Sequence, residues 1–447
     1  MRVRGYLVAR HATVVAWLAL VAFSIAAIEV PLTYETGTDE NAYFPHGYHS
    51  SEVTLTKPGG PWRLPEFVSG KPAYATMKLG DNEYLFVFDA GSESDKFYNR
   101  LYFDANANRD LTDDPAIDAI RIPSGGSDMY HAQFPQVEVT IADGQDNLPY
   151  SFVPTLYCFL SDGTKAATEE PNVHNFHFYI RTRCAYRGVL NLDGTSYDVW
   201  LGDSDGNGSF SDRFSVMQLG RSDDRIYGSG DTLYVVKNGE RITYDSGLIL
   251  GEYLALQDKV FEVSVRIPEG KMDLTPVTEN LAMLETPAKL DTMQLLSMNG
   301  SKAVMVFDPA MKTRVPANQY RLASYRLQTV GEQGDRWTLK AIGTTTGPAI
   351  SADVRDTTMV ALGEPFSPVV RISEQSREQL RGGASSVSLS FEVHGAGDEI
   401  VAGLQRVSGE NSKIAMSSKS HGLPAEPSYK IISDDGEVVT SGKFDYG

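Results

Sequence analysis

The chain has 447 residues, with 58 acidic against 40 basic side chains and a formal net charge of -18. Such a field repels phosphate backbones, and no Lys/Arg block or basic aromatic stripe offsets it, so no nucleic-acid partner is expected. Hydrophobic residues at 41% supply enough apolar mass for real cores, which excludes global disorder and a polytopic membrane protein, and the length predicts two to four domains at roughly 100–200 residues each.

In chain order, residues 1–26 read as a signal peptide. Arg2, Arg4 and Arg10 precede an apolar run from Ala12 to Ile28, and Ser24 and Ala26 form a small-x-small cleavage site. The alternative is an uncleaved anchor, which would be the chain's one link to a membrane. Residues 27–70, rich in Pro, Gly, Tyr and His, predict an irregular N-terminal arm.

Residues 71–267 predict a β-rich region. Runs such as ATMKLGDNEYLFVFD, QVEVTIADG, GVLNLDGTSYDVWLGD and KVFEVSVRIP alternate or cluster β-branched and aromatic residues between turn signals. Asp193-Gly194, Asn238-Gly239 and Asp435-Gly436 each predict a two-residue hairpin turn, because such dipeptides tolerate positive φ. Residues 268–300 read as a linker. Within it ENLAMLETPAKLDTMQLLSM is the best helical candidate, although Pro287 interrupts it. A short helical turn is also expected at SREQLRGG, ended by Gly382 and Gly383. Residues 301–447 have the size and texture of a C-terminal β-sandwich of immunoglobulin-like build. The fold class is therefore mainly β and multi-domain. Cys158 and Cys184 lie in strand-like runs, either paired as a disulfide or buried as thiols.

Two Asp/Asn-rich loops carry the chemistry. One reads DANANRDLTDD from Asp104 and the other DSDGNGSFSD from Asp203. Aligned on their first aspartates they agree at Asp104 with Asp203, Asn106 with Asp205, Asn108 with Asn207, Leu111 with Phe210, Thr112 with Ser211 and Asp113 with Asp212, so they read as an internal repeat. Calcium takes six to eight oxygens, and side-chain oxygens at loop positions 1, 3 and 5, a carbonyl at 7 and a further group near 9 suit it. In the second loop those are Asp203, Asp205, Asn207, the Ser209 carbonyl, and Ser211 or Asp212. In the first they are Asp104, Asn106, Asn108, the Asp110 carbonyl, and Thr112, Asp113 or Asp114. Gly208 stands at the sharp turn of position 6, and Phe210 at position 8 is expected to anchor the loop in the core.

These loops resemble the first eight positions of an EF-hand calcium loop, and more loosely the calcium loops of dockerins and thrombospondin type 3 repeats. The resemblance implies calcium and no overall fold. Position 12, where an EF-hand places Glu, is Pro115 or Phe214, so a carboxylate from position 10 or from elsewhere has to close the site. Arg109 replaces the position-6 Gly in the first loop, at a cost of about 1 kcal/mol if that residue is left-handed.

Other constellations are weaker. His46 with His49, and His174 with His177, share a face only on a helix, and their segments read as strand or loop. No H-E-x-x-H, P-loop or G-x-S-x-G is present. Trp62, Trp200 and Trp337 read as packing residues or as sugar-stacking platforms. The expected function is an exported calcium-binding β protein with a non-catalytic binding, adhesion or envelope-scaffold role and an unidentified protein or glycan ligand. The alternative is a calcium-stabilised secreted hydrolase using a glycosidase-like carboxylate pair.

Overall fold

The structure is a computed structural model describing residues 27–38, 43–120, 129–159, 174, 176–217, 224–331, 334–408, 416–419 and 422–446; the expected signal segment lies outside them. The described chain is mainly β, arranged in several sheets. The arm is less irregular than expected, because it contributes β1 (Ile28–Thr36) and β2 (Tyr48–Ser51). Val30 and Leu32 alternate into the core, which lets β1 pair with strands on both sides.

β3 (Ala73–Leu79), β4 (Asn82–Asp89), β5 (Arg100–Phe103) and β6 (Ile117–Asp118) form a four-stranded sheet in chain order. β7 (Met129–Gln133), β8 (Val137–Asp143), β9 (Asp146–Phe159) and β10 (Phe176–Thr182) join β2 in a five-stranded sheet ordered β2-β10-β9-β7, with β8 also on β9. Next come β11 (Cys184–Leu192), β12 (Thr195–Gly202), β13 (Ser215–Met217), β14 (Tyr227–Ser229), β15 (Thr232–Lys237) and β16 (Gly247–Ile249). β17 (Tyr253–Leu256), β18 (Lys259–Arg266) and β19 (Lys271–Pro276) complete the region.

A 16-stranded sheet runs through the molecule in the order β16-β15-β12-β11-β1-β19-β18-β17 and continues into the C-terminal strands through a parallel pairing of β17 with Ala303–Phe307. The four- and five-stranded sheets meet this sheet in one aromatic core, where Phe86 lies 4.6 Å from Phe103 and 4.8 Å from Phe178 between ring centroids. Ring pairs this close add roughly 0.5–1.5 kcal/mol each beyond the area they bury.

The linker and helix expected over 268–300 are corrected. The segment contains β19 and the strands Leu281–Glu285 and Thr292–Ser297, and it sends Ala282, Leu284, Met293 and Leu295 into a second core. Pro287 falls between those two strands, which frees each run to follow its own alternation. Leu284 and Val315 of a three-stranded sheet face Leu295, Val304 and Tyr320 of the large sheet in that core, so the C-terminal region is layered β on β.

SREQLRGG does end a helix, Glu374–Arg381, started by the Ser373 side chain, which accepts from Ser376 N, and stopped at Gly382. Asp193 (φ 47°) and Gly194 (φ 82°) make the expected two-residue turn between β11 and β12. The other two turns differ. After Asn238-Gly239 the chain runs to a 3-10 turn at Tyr244–Ser246 before β16, and Asp435-Gly436 sits in a five-residue loop between Ser428–Ile432 and Val438–Lys443. Neither Asn238 nor Asp435 takes the positive φ that the shorter turn demands at its first position. Cys158 and Cys184 are buried and are not joined to each other in a disulfide.

Candidate metal centre

Asp203 directly follows β12. The ladder between β12 and β15 ends on Gly202 opposite Thr232, and continuing that antiparallel register sets Asp203 across from Asp231. Asp203 is fully buried. Its Oδ1 accepts from the amides of Gly206 (2.6 Å) and Asn207 (3.2 Å), and its Oδ2 from the amide of Gly208 (2.8 Å) and the hydroxyl of Tyr150 (2.7 Å). Gly208 has φ +90°, and a Cβ there would lie 2.7 Å from Gly80 N, so the position-6 glycine is required both by conformation and by space. Phe210 is buried edge-on to Tyr186, with centroids 4.9 Å apart, and anchors the loop as expected.

One carboxylate oxygen each from Asp203, Asp205 and Asp231 lie within 4.8 Å of one another, the one such cluster among the described residues. Asp231 is the member that sequence reasoning missed. It is fully buried at the start of β15, where Oδ2 accepts from Asp212 N at 2.7 Å and Oδ1 has no hydrogen-bond partner. An isolated buried carboxylate oxygen is costly, and either a proton or a bound cation offsets that cost.

The other expected ligands are hydrogen-bonded within the loop. Asn207 Oδ1 accepts from Ser209 N at 2.7 Å, and Asn207 Nδ2 donates to Asp212 Oδ2 at 2.7 Å. Ser209 and Ser211 bring their hydroxyls to 3.5 Å of each other. The carboxylate that joins Asp203 and Asp205 is thus Asp231.

The first loop has the same fold. Asp104 is buried, its Oδ1 accepting from Asn108 N (3.1 Å) and its Oδ2 from Arg109 N (3.0 Å). Asn108 Oδ1 takes Asp110 N at 2.7 Å, and Asn108 Nδ2 donates to Asp113 Oδ2 at 2.8 Å, matching Asn207 in both bonds. Arg109 stands at φ 67°, the left-handed conformation expected of it, with its guanidinium 5.4 Å over Trp62. Asp114 also reaches this loop, its Oδ2 accepting from Ala105 N at 3.2 Å. No group of three carboxylates gathers here among the described residues, because Asn106 stands where the second loop has Asp205. Thr112 donates its amide and hydroxyl to Asp110, and Asp110 also pairs with Arg63.

Among the described residues the histidines form no metal-binding group. His46 Nδ1 faces Phe44 O at 2.8 Å and His49 Nδ1 faces Asp205 O at 3.2 Å, while His177 lies on β10. Trp62 and Trp337 are buried, and half-buried Trp200 packs on Phe44 and Arg187.

No family model, curated protein or solved structure matches the chain. Function is therefore argued from the site alone. Burial pushes the Asp203 carboxyl up to about 8 against the hydrogen bonds from Tyr150 and Gly208, and burial followed by the charge of Asp203 pushes Asp231 well above the usual carboxylate range. In the first loop burial raises Asp114 to about 6 and also raises Asp104. No basic side chain forms an ion pair with Asp203, Asp205 or Asp231 among the described residues. Oxygen-only donors with this charge and burial suit a hard divalent cation, which would hold Asp203 and Asp231 in their ionised state.

Proposed function

We propose that the protein is an exported, non-catalytic binding or scaffold protein in which the 203–212 loop, closed by Asp231, holds one calcium ion. Asp231, fully buried with its Oδ1 unpartnered and with one carboxylate oxygen within 4.8 Å of those of Asp203 and Asp205, carries this reading. Calcium is favoured over magnesium because the loop offers carboxylates, an amide and carbonyls on a bent backbone rather than a compact octahedron with room for several waters. Export fits the amino-terminal layout, and sites of millimolar affinity are useful only where calcium is abundant.

The ion would act on structure. It would tie the end of β12 to the start of β15, and with them the arm, because His49 faces the Asp205 carbonyl and Thr182 Oγ1 both accepts from Gly47 N (2.6 Å) and faces Asp203 O (3.3 Å). We read the layered region after residue 301 as an immunoglobulin-like sandwich, a build suited to presenting a binding face.

Calorimetric titration of chelator-stripped protein tests the proposal. One calcium per chain is expected, with weaker magnesium binding and no heat from Asp231→Asn. A wild-type protein that binds neither ion overturns it.

A further inference from the structure

The last two strands of the 16-stranded sheet hang from it by a short base. Ser367–Ile372 and Leu389–His394 pair with each other from Ser367 opposite His394 to Ile372 opposite Leu389, with the helix Glu374–Arg381 between them in sequence. This ribbon meets its inner neighbour, Ile400–Ser408, at a single register position, His394 opposite Ile400. Its outer strand ends the sheet and has no further partner there among the described residues. The base is firm, because the fully buried Glu399 accepts from the Tyr325 hydroxyl (3.1 Å) and from the amides of Gly363 (2.6 Å) and Gly397 (2.9 Å).

Beyond the base, charged side chains tie the ribbon to the body. Glu392 Oε1 accepts from Arg225 Nη2 at 2.7 Å, and its Oε2 faces Arg371 Nε at 2.9 Å. Arg371 also faces Asp224 at 3.7 Å. Arg225 stands on a fixed segment: Ile226 is buried, its amide donates to Gly343 O at 2.8 Å, and Thr345 N donates to Asp224 O at 2.6 Å. Burial by itself would raise the Glu392 carboxyl, but the bonds from Arg225 and His394 and the charge of Arg371 hold it below the usual range. Glu392 is therefore ionised and can only accept.

His394 lies where base and ribbon meet, and is 6% exposed. Its Nδ1 is 2.8 Å from Asp398 Oδ1 and its Nε2 is 3.2 Å from Glu392 Oε2. A neutral imidazole donates through one nitrogen alone, so two carboxylate partners require the imidazolium. The charge count agrees. Glu392 on its own strand, Asp398 in the following loop and Asp224 before β14 make three carboxylates, against the two guanidiniums of Arg225 and of Arg371 on the neighbouring strand. Glu399, the other acid of that loop, is taken up by Tyr325 and the two amides. An imidazolium makes the cluster neutral, whereas a neutral ring leaves one negative charge uncompensated.

We propose that His394 is a proton-operated latch for this ribbon. With both ring nitrogens protonated it draws Glu392 and Asp398 together and seats the ribbon on Arg225. Loss of one proton sets a nitrogen lone pair against a carboxylate, and the ribbon loosens about its base. A group that gains anionic partners on folding stabilises in acid and loses that contribution as pH rises, so the latch is closed at low pH and opens at high pH. No residue of the cation site takes part, so neither proposal rests on the other.

Hydrogen exchange of the full chain, read by mass spectrometry at fixed free calcium and corrected for the intrinsic effect of pH, tests the latch. From about pH 5 to about pH 9, a span that contains imidazole titration, peptides covering 367–394 should lose at least about tenfold in protection, the effect of one hydrogen bond to a charged group. The β11–β12 hairpin should not change. His394→Gln cannot be charged and should show the loosened ribbon at both pH values. A second reading needs no variant: in histidine-labelled wild type, nitrogen resonances should show two protons on the His394 ring at the acid end and one at the alkaline end. Equal protection of the ribbon at both pH values, a pH response that survives in His394→Gln, or a ring with a single proton in acid overturns the proposal.

Discussion

Replacing Asp231 by Asn should stabilise the metal-free protein and abolish its response to calcium. Asn keeps the shape, and its carbonyl oxygen still accepts from Asp212 N, the bond that Oδ2 makes at 2.7 Å. What is lost is a buried carboxyl that the metal-free protein keeps protonated, at a cost that grows with pH. Its neighbour Asp203 gives the size. With a folded value of about 8 against 3.8 unfolded, Asp203 carries no penalty below 3.8, where both states hold the proton. The penalty grows as pH rises and is complete above about 8, reaching on the order of 4 kcal/mol at neutral pH. Asn carries no group that must be protonated on burial, so the metal-free variant should melt several degrees above metal-free wild type. Calcium at a hundred times its dissociation constant should add about 2.7 kcal/mol to wild type and nothing to the variant. Scanning calorimetry of both proteins, with chelator and with calcium, should therefore show their order of stability reversing. A variant that melts below wild type in both conditions, or one that keeps the full calcium shift, would refute the cation assignment.

The pH dependence of the metal-free protein should follow the same sign: its melting temperature should rise as pH is lowered from 8 toward 5 in chelator, and that gain should vanish in calcium, where ionised ligands are required; a flat profile in chelator would count against it. Asp203→Asn should remove the calcium shift while Asp104→Asn leaves it intact, as read by thermal melts at matched calcium. Phe210→Ala should cost about 3–5 kcal/mol by emptying the space against Tyr186 and Tyr150, and should weaken calcium binding with it, which denaturant titration and calorimetry would measure. Both cysteines should resist alkylation in the native state, since burial pushes the thiols up to about 11 for Cys158 and about 12 for Cys184; reductant should leave the melt unchanged, and a reductant-sensitive melt would point to a disulfide instead.

The strands were legible wherever alternation was strong and local, as in the β3–β4 and β11–β12 hairpins. The helix expected over 279–298 was misread because its apolar residues also fit two short strands, and burial against a neighbouring sheet decided between them. The arm was undervalued for a related reason: β1 is short of local signals and is held by β11 and β19, one of which lies more than 200 residues away.

Sequence alone determined the two loops, because their first aspartates bond amides only four or five residues ahead and the spacing of Asp, Asn and Gly encodes that turn directly. It could not distinguish the two as metal sites. Tertiary structure decided that, through the pairing of β12 with β15, which carries Asp231 across from Asp203 after a separation of 28 residues. The same is true of the ring contacts that link His131, Tyr157, Tyr179 and Tyr48, which become neighbours only where β7, β9, β10 and β2 lie side by side. Local hydrogen bonds are written in adjacent residues, whereas a cluster of charges or rings depends on strand register, which the buried faces of the sheets set together.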